Sequence, residues 1–442
     1  MKRNLELTEQ GLMKDGSLLV FAFLVLVVGL AAGVVGAVFR LLLEQADSLR
    51  NALVAWARGE GMVGFLLVIA ACAVAPLIAA WMVRRYAPHA AGSGIPHVEA
   101  VLKQEIPPAP LRLIAVKFFG GLLAIGSGLA LGREGPSVQM GASIGHLIGK
   151  LFGRAWVDCR GLVAAGAGAG LATAFNAPIA GAVFVLEELV RRFETRIAIA
   201  ALGASAAAIA VGRVLLGDAP DFHVETLGYP AAEIRPLYFV LGGVCGFVAV
   251  AYNRALLATL EAADRVKMWP TEMRAGFIGA AVGSLAWFAP SLVGGGDTLT
   301  QSALAGEQIL ATLPILFLIR FGLGAVSYAA GTPGGLFAPL LVLGAQLGLF
   351  FGILCRLSFT DLQIQPEGFA VVGMAAFFTG VVRAPLTGIA LVIEMTGSVT
   401  MLLPMVGASF VAMLVATLLR GAPIYDSLRE RTLRTEETSH QS

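Results

Sequence analysis

Between Met62 and Val83 the chain runs 22 residues without a charged side chain, and between Ser17 and Leu43 it runs 27 with Arg40 alone. About 20 apolar residues carry a helix across a bilayer, whereas apolar runs in soluble cores are shorter. The composition points the same way, with 57% hydrophobic and 14% charged residues and a mean hydropathy of +0.81. Soluble chains average about 25% charge, so a water-soluble enzyme is excluded. The sequence reads as an all-α integral membrane protein with many spans. Its first apolar run follows a weakly basic start (Lys2, Arg3, Lys14), as a signal sequence would. That run is too long for the apolar part of a signal peptide, so it is expected to stay as a helix.

With 31 Lys and Arg against 29 Asp and Glu, nothing suggests a nucleic-acid partner. Cys72, Cys159, Cys245 and Cys355 lie far apart without CxxC spacing, which excludes a disulfide framework or a zinc knuckle. Orientation follows from short basic loops: Arg84, Arg85, Lys103 and Arg112; then Arg191, Arg192 and Arg196; then Arg420, Arg429, Arg431 and Arg434. These three segments and the N-terminus are expected on the cytoplasmic side, so both termini face the cytoplasm.

Further along, the apolar stretches are broken by Gly and Pro, as in Leu113–Leu131, Leu162–Val190, Leu336–Phe351 and Phe369–Met395. One polar insert interrupts the middle, and the expected organisation follows from it. A segment 1–16 precedes a first membrane half, 17–217; a joint, 218–236, leads to a second half, 237–420, and a tail, 421–442, with no regulatory domain appended. The halves share sequence. Gly166–Glu187 shifted by 207 falls on Gly373–Glu394, bringing together Gly166 and Gly373, Ala169 and Ala376, Ala177 and Ala384, Pro178 and Pro385, Gly181 and Gly388, Val185 and Val392, and Glu187 and Glu394. Chance matches Ala and Val in apolar sequence; it does not match Ala-Pro-x-x-Gly with a Glu at the same offset. Repeats with Gly/Pro-interrupted segments mark secondary-transporter folds, with the site at the repeat interface.

Three segments carry the chemistry. They are Gly92, Ser93, Gly94, Ile95 and Pro96; Gly132, Arg133, Glu134, Gly135 and Pro136; and Gly335, Leu336, Phe337, Ala338 and Pro339. Each breaks a helix, since Pro lacks an N–H and Gly accepts unusual backbone angles. Irregular backbone at membrane depth survives only when buried in protein or lining a cavity. A helix starting there turns free N–H groups and the positive end of its dipole inward, which attracts an anion. Glu134 stands out further, because an acid in an apolar segment costs about 2.5–3.5 kcal/mol on insertion scales and is functional by default. Arg133, its sequence neighbour, cannot face it on a helix.

The GSGIP, GREGP and GLFAP segments, the FNAPIAGAVFVLEEL run (175–189) and the PIYDSL tail (423–428) resemble, in this order, the signatures of the CLC family of chloride channels and chloride/proton exchangers. The resemblance spans Gly92 to Leu428. It implies a homodimer in the cell membrane, each subunit built of two inverted halves of tilted and broken helices. It implies a chloride held by the Ser93 and Tyr425 hydroxyls and the Leu336 and Phe337 amides. Many partial charges of this kind bind an anion loosely enough to release it. Glu134 then matches a carboxylate that plugs the pathway in place of chloride and swings out when protonated. Glu188 matches the internal proton-transfer acid of the exchangers, with Glu187 supporting the water path to it. Glu99 and Lys117 match a buried ion pair.

With Glu134 and Glu188 both present, the resemblance favours exchange of chloride for protons, without a cofactor, over a passive channel. The serine of GSGIP favours chloride over nitrate or fluoride. From another class, an intramembrane serine hydrolase would use Ser93 with His97, although no GxSxG surrounds the serine.

Overall fold

A computed structural model describes residues 15–265 and 269–441. Most of the N-terminal segment 1–16, with Lys2, Arg3 and Lys14, lies outside the described residues. The helices are α1 (Asp15–Ala57), α2 (Gly61–Tyr86), α3 (Ile95–Leu102), α4 (Arg112–Gly126), α5 (Glu134–Leu151), α6 (Trp156–Phe175), α7 (Pro178–Phe184), α8 (Thr195–Leu216), α9 (Arg235–Arg265), α10 (Thr271–Phe288), α11 (Asp297–Leu304), α12 (Leu313–Tyr328), α13 (Phe337–Ser358), α14 (Pro366–Val382), α15 (Pro385–Thr396), α16 (Leu402–Leu418) and α17 (Ile424–Gln441). A π-helical turn, Val185–Val190, extends α7. Among the described residues there is no strand, only two isolated bridges. The four cysteines are buried and free.

The order repeats. The run α1 to α8 returns as α9 to α16, with the 8-residue α3 answered by the 8-residue α11. Their direction is settled by a reciprocal pair of caps. At the end of the α7 segment, the Glu187 carboxylate accepts hydrogen bonds from the Leu386 and Thr387 N–H groups at the start of α15 (3.0 and 2.7 Å). Glu394, at the end of α15, accepts from the Ile179 and Ala180 N–H groups at the start of α7 (3.0 and 2.7 Å). Each acid satisfies donors that a helix start leaves free. Two helices that cap each other in this way run antiparallel, so the halves are inverted. That is why the Glu recurs at the same offset in both copies.

Among the described residues four stretches are long and apolar enough to cross a bilayer: Leu18–Tyr86, Thr195–Leu216, Arg235–Arg265 and Phe337–Ser358. Others are too short. Eight residues of helix rise about 12 Å, well under a hydrocarbon core of about 30 Å, so neither α3 nor α11 can cross it.

Packing relies on small residues, as expected where lipid offers no hydrophobic drive to bring helices together. A Cβ on Gly141 of α5 would overlap the Gly166 carbonyl of α6, and the same clash occurs between Gly344 of α13 and Gly373 of α14. Gly141→Val is therefore expected to destabilise the fold by about 1–3 kcal/mol or more. Gly322→Ala, which meets nothing within 4 Å, serves as the control. Thermal unfolding in detergent checks both; equal midpoints would show that α5 and α6 yield.

Candidate functional site

The three Gly/Pro segments are 40 to 243 residues apart in sequence and meet through backbone hydrogen bonds. Gly132 and Gly335 exchange two, at 2.8 and 2.7 Å, and Gly92 pairs with Thr332 and Gly334, both at 3.0 Å. This cross-half pairing satisfies non-helical backbone that no water reaches. Ser93 stands between two glycines in the left-handed region, Gly92 (φ +61°) and Gly94 (φ +85°), a conformation that favours glycine. Its N–H donates to the Tyr328 hydroxyl at 3.2 Å. Tyr328 was not singled out in the sequence; its only signal is a polar tip just before a Gly/Pro break.

Four helix starts converge here: those of α3, α5, α13 and α17. Glu134, wholly buried, opens α5, and its Oε1 accepts from the Phe337 N–H at 2.6 Å. The approach is close because the flanking residues lack side chains. A Cβ on Gly132 or Gly335 would overlap the Glu134 carboxylate, and one on Gly135 would sit 2.6 Å from Ser93 Oγ. The Phe337 ring touches Phe175, Phe184, Phe378 and Tyr425, with centroids 4.6 to 6.3 Å apart. Ser93 Oγ and Tyr425 Oη are fully buried, and neither makes a hydrogen bond within the protein.

Two cavities approach the site, each lined by a different set of residues. One of about 420 Å³ reaches Gly132, Arg133 and Ala338 and is lined by Glu44, Asp47, Arg50 and Asp297. The other, of about 690 Å³, reaches Gly92, Gly94 and Tyr328 and is lined by His89, His97, Asp264, Arg274 and Arg431. Arg133 turns away from Glu134. It donates to the Ala174 carbonyl at 2.8 Å and pairs with Asp221 and Asp297 at 3.1 and 3.3 Å.

A family model described as voltage gated chloride channel matches residues 75–417. The chain belongs to that family. It is 38% identical over 444 residues to the H(+)/Cl(-) exchange transporter ClcA of Vibrio cholerae serotype O1 (strain M66-2), covering 99% of this chain and 94% of that protein. It is 34% identical to the transporter of the same name from Salmonella typhi, covering 96% and 91%. A crystal structure of a slow cyanobacterial Cl-/H+ antiporter superposes with a TM-score of 0.91 at 32% identity, covering 94% of this chain and 99% of that one. The fold is accordingly that of a multi-pass membrane transporter family, and the relatives are transporters rather than enzymes.

Within this family fold, one expected contact is absent. Glu99 and Lys117 do not pair. Lys117 donates to the Ala90 and Gly92 carbonyls at 3.0 and 2.7 Å, in the irregular backbone before α3, where the Gly92 oxygen also accepts from the Gly334 N–H. Arg320, also buried, does the same in the second half for Leu292, Gly294 and Gly295, at 2.9 to 3.0 Å. Glu99 turns instead to Lys103 at 2.7 Å, with Arg191 and Arg429 at 3.7 and 3.6 Å.

Glu188 is buried and bonds Arg191 at 3.1 Å. Glu187 spends its carboxylate on the α15 cap. His97 stacks against His89 with ring centroids 4.8 Å apart, and Ser93 Oγ makes no bond to it. The serine and histidine of a hydrolase are thus not assembled. Arg383, in the left-handed region (φ +74°), donates to the Met413 and Gly421 carbonyls, a capping duty.

Proposed function

We propose that the chain exchanges chloride for protons across the cell membrane, with Glu134 as gate and Glu188 as internal proton acceptor. The observation that carries this reading is a carboxylate seated on the amide expected for an anion, beside two buried hydroxyls without acceptors. A buried O–H that donates to nothing costs about 1–3 kcal/mol. Chloride accepting from Ser93 and Tyr425 removes that cost, and the Phe337 N–H binds either chloride or the ionised Glu134. Protonation cancels the Glu134 charge, weakens its hold on Phe337 and yields the amide to chloride. Glu188 sits at the end where Lys103, Arg191 and Arg429 gather, which the excess of Lys and Arg assigns to the cytoplasm. The Phe337 ring packs among Phe175, Phe184, Phe378 and Tyr425, so a proton passing between the two acids needs a chain of water.

The halves would be 17–217 and 237–420, joined by 218–236. The relatives' names support chloride and proton exchange, and the family resemblance supports a homodimer. Chloride and protons are the cargo, and no cofactor enters the scheme. In liposomes, a pH gradient should drive chloride uphill; chloride flux without proton movement would leave the channel alternative standing.

Removing the Ser93 or Tyr425 hydroxyl is expected to weaken chloride binding by up to about 1.5–3 kcal/mol for each bond to the ion. Backbone amides remain, so transport should slow or uncouple rather than stop. Titration calorimetry on Tyr425→Phe is the check, and unchanged chloride affinity rejects the tyrosine as a ligand.

A further inference from the structure

Glu188 lies within a π-helical turn, Val185–Val190, and the residue that ends it, Arg191, is in the left-handed region at φ +55°. π-turns often accompany functional sites, and a left-handed non-glycine residue is held there only by its surroundings. The surroundings are specific. Arg191 Nε donates to the Glu188 carbonyl at 3.2 Å and Nη2 to Glu188 Oε1 at 3.1 Å. Nη2 also stands 3.7 Å from Glu99 in α3, the helix that follows Ser93. Nη1 donates at 3.0 Å to Asp426 in α17, the neighbour of Tyr425. One guanidinium therefore links the π-turn that holds Glu188, the helix α3 that follows Ser93 and the helix α17 that holds Tyr425.

The charges around it do not balance. Glu99, Glu105, Glu188 and Asp426 face Lys103, Arg191 and Arg429, so with every acid ionised the cluster holds one negative charge in excess. A proton arriving at Glu188 neutralises that excess and weakens its charge-assisted bond to Arg191. Arg191 is then held mainly by Glu99 and Asp426.

We propose that Arg191 is a positioning residue that ties the protonation of Glu188 to the placement of α17 and its Tyr425, so that proton uptake and the inner face of the anion site change together. This rests on the reading of Glu188 as proton acceptor. The idea needs no new ligand, because the fork of one guanidinium serves three partners, a geometry that Lys cannot reproduce.

The test measures protons moved per chloride, from the reversal potential of the full-length protein in liposomes. In Arg191→Gln the ratio should fall at least about threefold while chloride flux per protein stays within about twofold, the scale of coupling changes seen along contact networks. Asp426→Asn should shift the ratio in the same direction, and Arg191→Lys should recover part of it. A wild-type ratio in Arg191→Gln overturns the proposal. So does a parallel fall of flux and unfolding temperature with the ratio unchanged, which marks a purely structural arginine. Should Arg191→Gln fail to fold, Asp426→Asn decides, and an unchanged ratio there rejects the link. Glu188→Gln is run alongside. Proton transport persisting in that variant removes the reading beneath the proposal, whereas its loss together with a wild-type Arg191→Gln ratio rejects the latch alone.

Discussion

Glu134→Gln keeps chloride moving and stops the protons. The amide has the size of the carboxylate but no charge and no exchangeable carboxyl proton. It exchanges a charge-assisted bond to the Phe337 N–H, worth about 1.5–3 kcal/mol, for a neutral one of about 0.5–1.5. The plug thus loosens, and chloride competes for the Phe337 amide at every pH. Because Gly132 and Gly335 crowd the carboxylate, the replacement must be isosteric; Glu134→Ala would open a void as well and blur the result. Flux from chloride-loaded liposomes, read together with internal pH, gives both quantities. Proton-coupled flux at the wild-type level in this variant sinks the assignment of Glu134.

Glu188→Gln is expected to abolish proton transport and leave chloride movement largely intact, with Glu134 still opening and closing from the other side. A carboxylate can receive a proton at the end of a water chain; an amide of the same shape cannot. The neighbouring Glu187 supplies the contrast. Its carboxylate accepts from Leu386, Thr387 and the Thr387 hydroxyl, so Glu187→Gln should retain proton transport. Removing the cap altogether, in Glu187→Ala, should cost about 0.5–2 kcal/mol of stability, the range for a helix cap. Proton uptake driven by a chloride gradient distinguishes the pair. If Glu188→Gln still moves protons while Glu187→Gln does not, the proton acceptor is the other glutamate.

The broken segments were legible because their chemistry is local. Gly92, Gly94 and Pro96 announce a chain that leaves the helix whatever surrounds it, and a charged residue such as Glu134 in an apolar stretch announces a cost that a partner or a function must offset. The repeat was legible too, from Ala177, Pro178, Gly181 and Glu187 against their counterparts. Its inversion was not, since orientation appears only when Glu187 and Glu394 are seen each capping the other's helix.

The same division explains the ion pair that is not there. Lys117 and Glu99 are both buried and of opposite charge, and the family resemblance implies that they join. Lys117 instead serves the Ala90 and Gly92 carbonyls, because a buried ammonium needs acceptors more than any neutral group does and the irregular backbone before α3 presents two at once. Arg320 repeats the solution in a half with no matching acid, which marks backbone satisfaction as the requirement. Arg191 was equally hidden. In the sequence it is one of several arginines that fix orientation, and only the fold brings α3, the π-turn and α17 onto its guanidinium.

By itself, then, the sequence determined that the chain lies in a membrane, where its helices break and which acids are anomalous, because hydropathy, Gly/Pro geometry and the cost of a buried charge act within a few residues. Only the tertiary structure decided which partner each buried charge takes. Those choices depend on donors and acceptors brought together from far along the chain, 203 residues apart for Glu134 and Phe337, and in a low-dielectric interior they compete for few partners.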